Sequence, residues 1–464
     1  MLNSLLSVGL GALTAYGFFN TNVAFIIPLC LTIFLIINKP IEIKNFGLFF
    51  ISLNTIGSLW LLVPIHFIGG VNYIISILII MVLGLFMGSI YALTLKLMRT
   101  FDTHAYSWLY ILPTTIILSE FIKLHVIGGY PFLLYGYYLV DTPFKSVIPI
   151  IGLYGCSWLL TLICCLLAYT LREKKYKTSL IILSILFAFK LLNIQNYNYT
   201  KLKTSLNMYV IHTNNHYPSK YRKVINDINL KQKVDVALFP ESMFTQIDQI
   251  PDLNADYILT GLIGYDYEKK GFYNTMAGLN NEHKIDFIHK KHHLAQFNEW
   301  IPKGLQNLLK AFDLPYHGFV AGNGKDTNGK IKNTKFMSVI CYEMLFTDFI
   351  YNNINDANLI ININDLGWFE KSKFENHFYQ ITRFMSALTQ KPIVVSSNIG
   401  NSALIDPNGK TIYLTKNSTI EVNTNSGYTP WMSYGDNWVL VFIILVNGIL
   451  YSFTIKTPLK DSKK

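Results

Sequence analysis

Long, nearly uninterrupted apolar runs occupy the first 195 residues of the chain. A helix that spans a bilayer needs roughly 20 consecutive, mostly apolar residues. About seven such runs follow one another, the second of them short and the fifth interrupted by Pro113, and one more stands alone near the C-terminus. The first run lacks a basic start and is followed at once by further runs, which favours a span over a secretory signal. The predicted spans are residues 2–20, 22–37, 46–69, 73–95, 105–122, 146–171, 178–195 and 438–455.

Between the last two spans the apolar period changes to short runs rich in Val, Ile and Tyr, separated by Asn, Gly and Pro. Helical patterns fall between several of these runs, notably at 219–230 and 374–388, so this segment is predicted to form an α/β or α+β sandwich with one core. The predicted strands are 206–212, 234–239, 257–264, 273–279, 335–341, 359–364, 393–398 and 403–406. The chain is therefore divided into a membrane domain at 1–198, a soluble domain at 199–432, and a last span with a basic tail at 433–464.

Basic residues alternate between the short loops of the predicted membrane domain. The loops after the second, fourth and sixth spans contain Lys or Arg, whereas those after the first and third contain none. Because basic loops stay on the cytoplasmic side, both termini are predicted to be cytoplasmic and the soluble domain to lie outside. The net charge is +11, but residues 200–432 hold 24 Lys and Arg against 21 Asp and Glu. The excess thus reflects topology, and nucleic-acid binding is not predicted.

Cys341 is the single cysteine of the predicted soluble domain. It has no partner there for a disulfide and no second thiol for a zinc cluster. No His-Glu-x-x-His motif is present, and the adjacent His292 and His293 cannot easily ligate one ion from an extended chain. We therefore predict no metal and no cofactor. The other four cysteines lie in predicted spans, where a thiol behaves as a small apolar residue: Cys30, Cys156, Cys164 and Cys165.

Three segments join an apolar run to an ionisable or nucleophilic residue, namely 236–241, 291–299 and 336–343. A cysteine reacts as its thiolate, which a nearby base or cation promotes. Glu241 can supply the base and Lys291 the cation for Cys341. Taken alone, each residue has a simpler explanation: a packing cysteine, an acid at a helix N-terminus, and a lysine of the solvated basic run 289–293.

In this order, Pro-Glu, Lys-x-x-Leu and Cys-Tyr-Glu resemble the Glu, Lys and Cys triad of the nitrilase superfamily. Seven spans before such a domain and one after it resemble the apolipoprotein N-acyltransferases, the bacterial enzymes that complete lipoprotein maturation. The resemblance covers nearly the whole chain. It includes ordered fragments that begin at Glu120, Gly129, Tyr135, Gly152, Tyr273, Asn364, His377, Asn398 and Leu404.

The resemblance implies a polytopic α-helical membrane domain with an external nitrilase-like αββα sandwich in the periplasm of a bacterial inner membrane. It implies a monomer that uses Glu241, Lys291 and Cys341 to move a fatty acyl chain from a phospholipid to diacylglyceryl apolipoproteins, with phosphatidylethanolamine as donor. By the same resemblance, Glu299 and Glu343 support the lysine and the cysteine. A backbone N–H near Tyr342 helps to bind the oxyanion, and Trp368 is a packing or lipid-contact aromatic.

Several positions depart from the family pattern. Where the family has Leu-Val-Pro-Phe-Gly-Glu after the lysine, this chain places Gln296 for the proline and Asn298 for the glycine. Met385 and Leu388 replace the Arg and Glu of an Arg-Ala-x-Glu sequence, while Trp368 is displaced by one residue and Glu370 stands for a glycine. These departures put the geometry of the loops in question more than the chemistry.

Two alternatives stay open at this stage. A membrane-tethered nitrilase-type amidase would hydrolyse small amides with the same three residues. A catalytically silent scaffold would keep the fold but only bind lipoproteins, in which case Cys341 would be dispensable.

Overall fold

The computed structural model describes residues 1–101, 107–126, 129–191, 197–213, 225, 228, 230–295, 299–300, 318–370 and 372–455. They form two compact units. The membrane unit takes its residues from Met1–Leu62, Tyr73–Tyr197 and Ser433–Lys464. The sheet unit takes its residues from Val63–Asn72 and Asn198–Met432.

Helices coincide with every predicted span of the membrane unit. Within the described residues, four helices are long and apolar enough to cross a membrane: Leu2–Phe19, Ile43–Ile68, Tyr73–Phe101 and Pro143–Arg172. Pro113 does not interrupt the fifth helix, in contrast to the prediction, since membrane helices tolerate proline where neighbouring groups satisfy the backbone. The described α-helices of this unit are Leu2–Phe19, Ile26–Ile37, Ile43–Gly57, Tyr73–Met98, Trp108–His125, Ile148–Arg172, Tyr176–Leu191 and Asn437–Ile455.

Glycines allow two of these helices to approach closely. A Cβ atom added at Gly88 would lie 2.4 Å from the Cα atom of Ile51, and one at Gly84 would lie 2.6 Å from the Cα atom of Thr55. Small residues at such crossings increase backbone contact where lipid supplies no hydrophobic driving force between helices.

The helix Trp108–His125 carries two buried ionisable residues, Glu120 and Lys123. Lys123 Nζ donates to Asn54 Oδ1 at 3.0 Å and to the carbonyl of Phe132 at 3.1 Å. The backbone N–H of Tyr135 donates to Glu120 Oε1 at 2.7 Å. The two side chains therefore bind the irregular chain that leads into the 3-10 helix Tyr135–Asp141. They supply hydrogen bonds to backbone groups of this segment, which water does not reach in an apolar environment.

The sheet unit contains two six-stranded sheets. The first has the strand order β12-β1-β2-β3-β4-β5, and the second has the order β11-β10-β9-β8-β7-β6. The strands are β1 Lys201–Val210, β2 Val234–Leu238, β3 Ala255–Asp266, β4 Gly271–Asn280, β5 Ile285–Lys290, β6 Asn328–Ile331, β7 Thr334–Ile340, β8 Leu359–Asn364, β9 Ile393–Ser397, β10 Ser402–Ile405, β11 Thr411–Leu414 and β12 Ser418–Ser426.

The main core of this unit lies between the two sheets. Buried side chains of β2, such as Val236, pack in one cluster with Phe336 of β7 and Ile361 of β8. A second cluster around Phe239 covers the other face of the first sheet. The described α-helices of this unit are Thr347–Asn353 and Phe374–Thr389, and the short helix Pro430–Tyr434 crosses its C-terminal limit at Met432.

All eight predicted strands of the soluble segment are confirmed, as is the predicted helix at 374–388. The predicted helix at 219–230 lies mostly outside the described residues. Four strands were not predicted: β5, β6, β11 and β12. The short helical segment Val63–Ile68, although it follows a membrane helix, groups with the sheet unit and lies beside the turn Leu366–Phe369.

Candidate active site

The chain turns sharply at Cys341. The buried strand β7 ends at Ile340, and Cys341 begins the 3-10 helix Cys341–Leu345 with a φ of 47°. A positive φ is costly for a residue with a side chain and persists only where the surroundings enforce it. As a residue, Cys341 is partly exposed, whereas the strand before it is buried. The turn therefore brings Cys341 out of the buried strand.

Glu241 follows β2 and is 4% exposed. Its Oε2 accepts a hydrogen bond from the backbone N–H of Asp365 at 2.6 Å. Its Oε1 accepts from Asn274 Nδ2 at 2.7 Å and from Lys291 Nζ at 3.0 Å. The carboxylate is thus held on both oxygens by groups that follow or lie in three different strands.

Lys291 follows β5 and is 1% exposed. Besides Glu241, its ammonium group contacts Glu299, whose Oε1 lies at 2.9 Å. The Oε2 of Glu299 accepts from the backbone N–H of Ala295 at 2.7 Å. A lysine has three N–H donors, and two are directed at these carboxylates. Nζ also lies 2.9 Å from Glu299 Oε2, so that the two carboxylates surround the ammonium group.

Asn274 completes this arrangement, although sequence analysis assigned it no role. Its Nδ2 also donates to Glu299 Oε1 at 2.8 Å, so that one amide and one ammonium bridge the same two carboxylate oxygens. The backbone carbonyl of Asn274 accepts from the backbone N–H of Lys291 at 2.8 Å. The only sequence signal was the fragment Tyr273-Asn-Thr, which formed part of the family resemblance.

The three residues predicted to be catalytic lie in one cluster. Glu241 and Lys291 are hydrogen-bonded to each other at 3.0 Å. After desolvation, these two groups are the main influences on the pKa of the Cys341 thiol, which Glu241 raises and Lys291 lowers. The predicted proximity is therefore found, while the catalytic role of each residue stays a prediction.

Burial shapes the titration of the cluster. Desolvation, together with the nearby Glu241, raises the pKa of the Cys341 thiol well above its ordinary value, and the charge of Lys291 opposes this only in part. Desolvation also raises the pKa of Glu241, against the lowering effect of Lys291. Burial by itself would lower the pKa of Lys291, but Glu241 and Glu299 hold it well above the ordinary value. Burial and Glu241 thus disfavour the thiolate of Cys341, whereas the two carboxylates favour the charged form of Lys291.

The supporting residues predicted from the sequence differ in their placement. Glu299 belongs to the cluster, and Glu343 lies fully buried behind the Cys341 turn. Tyr342 is buried, with its ring packed edge-on against Phe346 at a centroid distance of 5.1 Å. Trp368 is partly exposed on the turn Leu366–Phe369, which directly follows Asp365.

The departures from the family pattern are only partly visible. Gln296 and Asn298 lie outside the described residues. Met385 and Leu388 are both fully buried in the helix Phe374–Thr389, in an apolar environment that suits these side chains. Glu370 is exposed. Within the described part of the chain, no group of three or more His, Cys, Asp or Glu residues could hold a metal ion.

Two family models match the chain. The model for the apolipoprotein N-acyltransferase N-terminal domain matches residues 10–166, and the carbon-nitrogen hydrolase model matches residues 229–425. The chain is 24% identical to an apolipoprotein N-acyltransferase of Pasteurella multocida over 442 residues, covering 85% of this chain and 84% of the relative. It is also 24% identical to an apolipoprotein N-acyltransferase of Coxiella burnetii over 490 residues, covering 97% of this chain and 100% of the relative.

Among solved structures, the chain is similar to a carbon-nitrogen hydrolase from Helicobacter pylori with 10% identity and a TM-score of 0.37, covering 47% of this chain and 89% of that one. The two family models together span the helical membrane unit and the sheet unit that carries the cluster. The chain belongs to the apolipoprotein N-acyltransferase family of the nitrilase superfamily.

Proposed function

We propose that this protein transfers a fatty acyl chain from a membrane phospholipid, through a thioester on Cys341, to the α-amine of the N-terminal diacylglyceryl cysteine of apolipoproteins. The observation that carries the proposal is the cluster itself. A carboxylate and an ammonium group, both buried and hydrogen-bonded to each other, lie near a cysteine on a strained turn. The family to which the chain belongs supplies the substrate classes, lipid and lipoprotein.

In the first half of the reaction, Glu241 accepts the thiol proton as the sulfur attacks the ester carbonyl of the phospholipid. The ammonium group of Lys291 and a backbone N–H near Tyr342 donate to the tetrahedral oxyanion. One such donor typically contributes about 100- to 1000-fold in rate. The C–O bond then breaks, and Glu241 returns the proton to the oxygen of the departing lysophospholipid.

In the second half, Glu241 takes a proton from the α-amine of the apolipoprotein as the nitrogen attacks the thioester. The C–S bond breaks, the amide forms, and the sulfur regains its proton from Glu241. Each half returns the base to its starting state, so the two substrates react in turn with the same group. This order is the ping-pong scheme of covalent catalysis.

The protein is assigned to the bacterial inner membrane, as a monomer with both termini in the cytoplasm and the catalytic domain in the periplasm. The alternation of basic loops supports this orientation. Phosphatidylethanolamine is the donor that we propose. The four long apolar helices support insertion in a lipid bilayer.

The proposal is tested by incubating the full-length protein in detergent with phosphatidylethanolamine that carries an alkyne-tagged acyl chain. We expect mass spectrometry to find the tagged acyl mass on the Cys341 peptide, and a diacylglyceryl lipopeptide to remove it as an N-acyl product. Cleavage of small amides without any lipid-derived acyl-enzyme would instead identify an amidase and end the proposal.

At low pH, the rate of acyl-enzyme formation should depend on the protonation of Glu241. Because burial raises the pKa of this carboxyl group, the basic form accumulates only above that raised value. We expect the rate of acyl-enzyme formation to fall with decreasing pH around a midpoint above about 4.3, the ordinary value for glutamic acid. A midpoint at or below this value would contradict the assignment of Glu241 as a desolvated base.

Replacement of Asn274 by alanine should slow acyl-enzyme formation. The change removes hydrogen bonds to two carboxylates, each worth about 1.5–3 kcal/mol. If one of them acts in the transition state, the rate falls by about 10- to 100-fold. Asn280→Ala, at the far end of the same strand, is the control and should leave the rate unchanged. Equal rates for both variants would show that Asn274 does not position the cluster.

A further inference from the structure

Behind the Cys341 turn, the carboxylate of Glu343 joins two segments of the site. Its Oε2 accepts from the backbone N–H of Ile340 at 2.8 Å, on the residue that precedes the thiol. Its Oε1 accepts from the backbone N–H of His292 at 2.6 Å, on the residue that follows Lys291. A single side chain thus fixes the backbone beside the nucleophile to the backbone beside the ammonium group.

A third donor to this carboxylate comes from a side chain. His289 Nε2 lies 2.9 Å from Glu343 Oε2. The exposed fraction of the two side chains is 1% and 0%. A buried carboxylate is costly unless charge and hydrogen bonds compensate for its lost hydration. Because the other two donors are backbone groups, His289 is the partner that a substitution can remove without changing the chain path.

We propose that His289 is a positioning residue for the reaction: its ring N–H holds Glu343 in place, and Glu343 in turn holds Cys341 at a fixed distance from Lys291. The reaction named in this inference rests on the proposed function, whereas the contact between His289 and Glu343 is independent of it. His289 lies in β5, two residues before Lys291, so the same strand supplies the cation and the support for the nucleophile.

The charge state of Glu343 agrees with this arrangement. Burial alone would raise the pKa of its carboxyl group, but His289 and the two backbone donors hold that pKa below the ordinary value. As a carboxylate, Glu343 can accept all three hydrogen bonds. Once protonated, one of its oxygens would become a donor facing a backbone N–H, and the turn would lose a contact.

The experiment compares His289→Leu, which removes the donor, with His289→Gln, whose side-chain amide places an N–H close to the position of Nε2. The first readout is the rate at which iodoacetamide alkylates Cys341 in the full-length protein, followed by mass spectrometry of that peptide. The second is the kcat and KM of acyl-enzyme formation with phosphatidylethanolamine. Lys290→Gln, on the opposite and exposed side of β5, is the matched control.

We expect His289→Leu to lower the alkylation rate and kcat by about 100-fold, the cost of a misplacement on the order of 1 Å. The KM should remain unchanged, because His289 is buried and does not meet the lipid. His289→Gln should recover most of both rates, and Lys290→Gln should match the unmodified protein. A merely structural role would lower the amount of folded protein without this recovery.

Alkylation of His289→Leu at the unmodified rate would overturn the inference, and so would a His289→Gln variant as slow as His289→Leu. If His289→Leu does not fold, as judged by its melting profile, His289→Asn takes its place, since this amide is too short to reach Glu343. If the unmodified protein forms no acyl-enzyme with phospholipid, the proposed function fails, while the alkylation series still decides the role of His289.

Discussion

Replacement of Cys341 by alanine is expected to abolish acyl-enzyme formation and the transfer product. Without the sulfur no thioester can form, and loss of a nucleophile alone can lower the rate by about a million-fold. The alanine side chain is compatible with a site that is already partly exposed, so the fold should survive. The measurement is the mass of the peptide that contains position 341 after incubation with tagged phospholipid, together with the yield of N-acyl lipopeptide.

Cys156→Ala is the matched control for this variant. Cys156 is a fully buried cysteine of the helix Ile148–Arg172, and its replacement should leave both measurements unchanged. Product formation by Cys341→Ala at the unmodified rate would indicate a scaffold, or a nucleophile elsewhere in the chain.

Replacement of Glu241 by glutamine is expected to slow acyl-enzyme formation by about 100- to 10,000-fold, the usual contribution of a general base. Glutamine keeps nearly the same shape and can still accept from Lys291, but it cannot take the proton of the thiol. The residual rate should no longer fall on the acid side, because the group that titrates there is gone. Single-turnover kinetics as a function of pH measures both effects.

Glu299→Gln distinguishes the base from its neighbour. Glu299 binds the same donors, Lys291 and Asn274, so this variant loses an equal charge beside the ammonium group. Glu241 raises the pKa of the Cys341 thiol more than Glu299 does. We therefore expect the rate of acyl-enzyme formation by Glu299→Gln still to fall at low pH. If the decrease in rate at low pH disappeared in Glu299→Gln but remained in Glu241→Gln, Glu299 would be the base and Glu241 its neighbour.

The strands that the sequence failed to predict share one position in the fold. β5 and β12 are the two edges of the first sheet, and β6 and β11 are the edges of the second. Edge strands have one neighbour instead of two and carry polar or charged residues that discourage pairing with other chains. β5 alternates Asp286 and Lys290 with apolar residues, and this pattern resembles a loop more than a core strand. Central strands such as β8 and β9 are buried on both faces and were predictable from their apolar runs.

The difference between central and edge strands also decides which residues of the site could be predicted from the sequence. Glu241 and Cys341 follow central strands, where an apolar run that ends in an ionisable residue is visible in the sequence. Asn274 and His289 acquire their positions from the pairing of β4 with the edge strand β5, which places Met276 opposite His289. Nothing local distinguishes an asparagine or histidine of this kind from one on the protein surface. Only the long-range pairing shows that one bridges two carboxylates and the other supports the nucleophile.

The buried ionisable side chains of the helix Trp108–His125 have a consequence for biogenesis. Among the described residues, this helix is not one of the four that are long and apolar enough to cross a membrane, and a charged side chain in mid-membrane costs about 2.5–3.5 kcal/mol on translocon-insertion scales. The hydrogen-bond partners of Lys123 and Glu120 include the backbone of Phe132 and Tyr135, which the ribosome synthesises later. We therefore expect stable integration of this helix to depend on the residues that follow it in the chain.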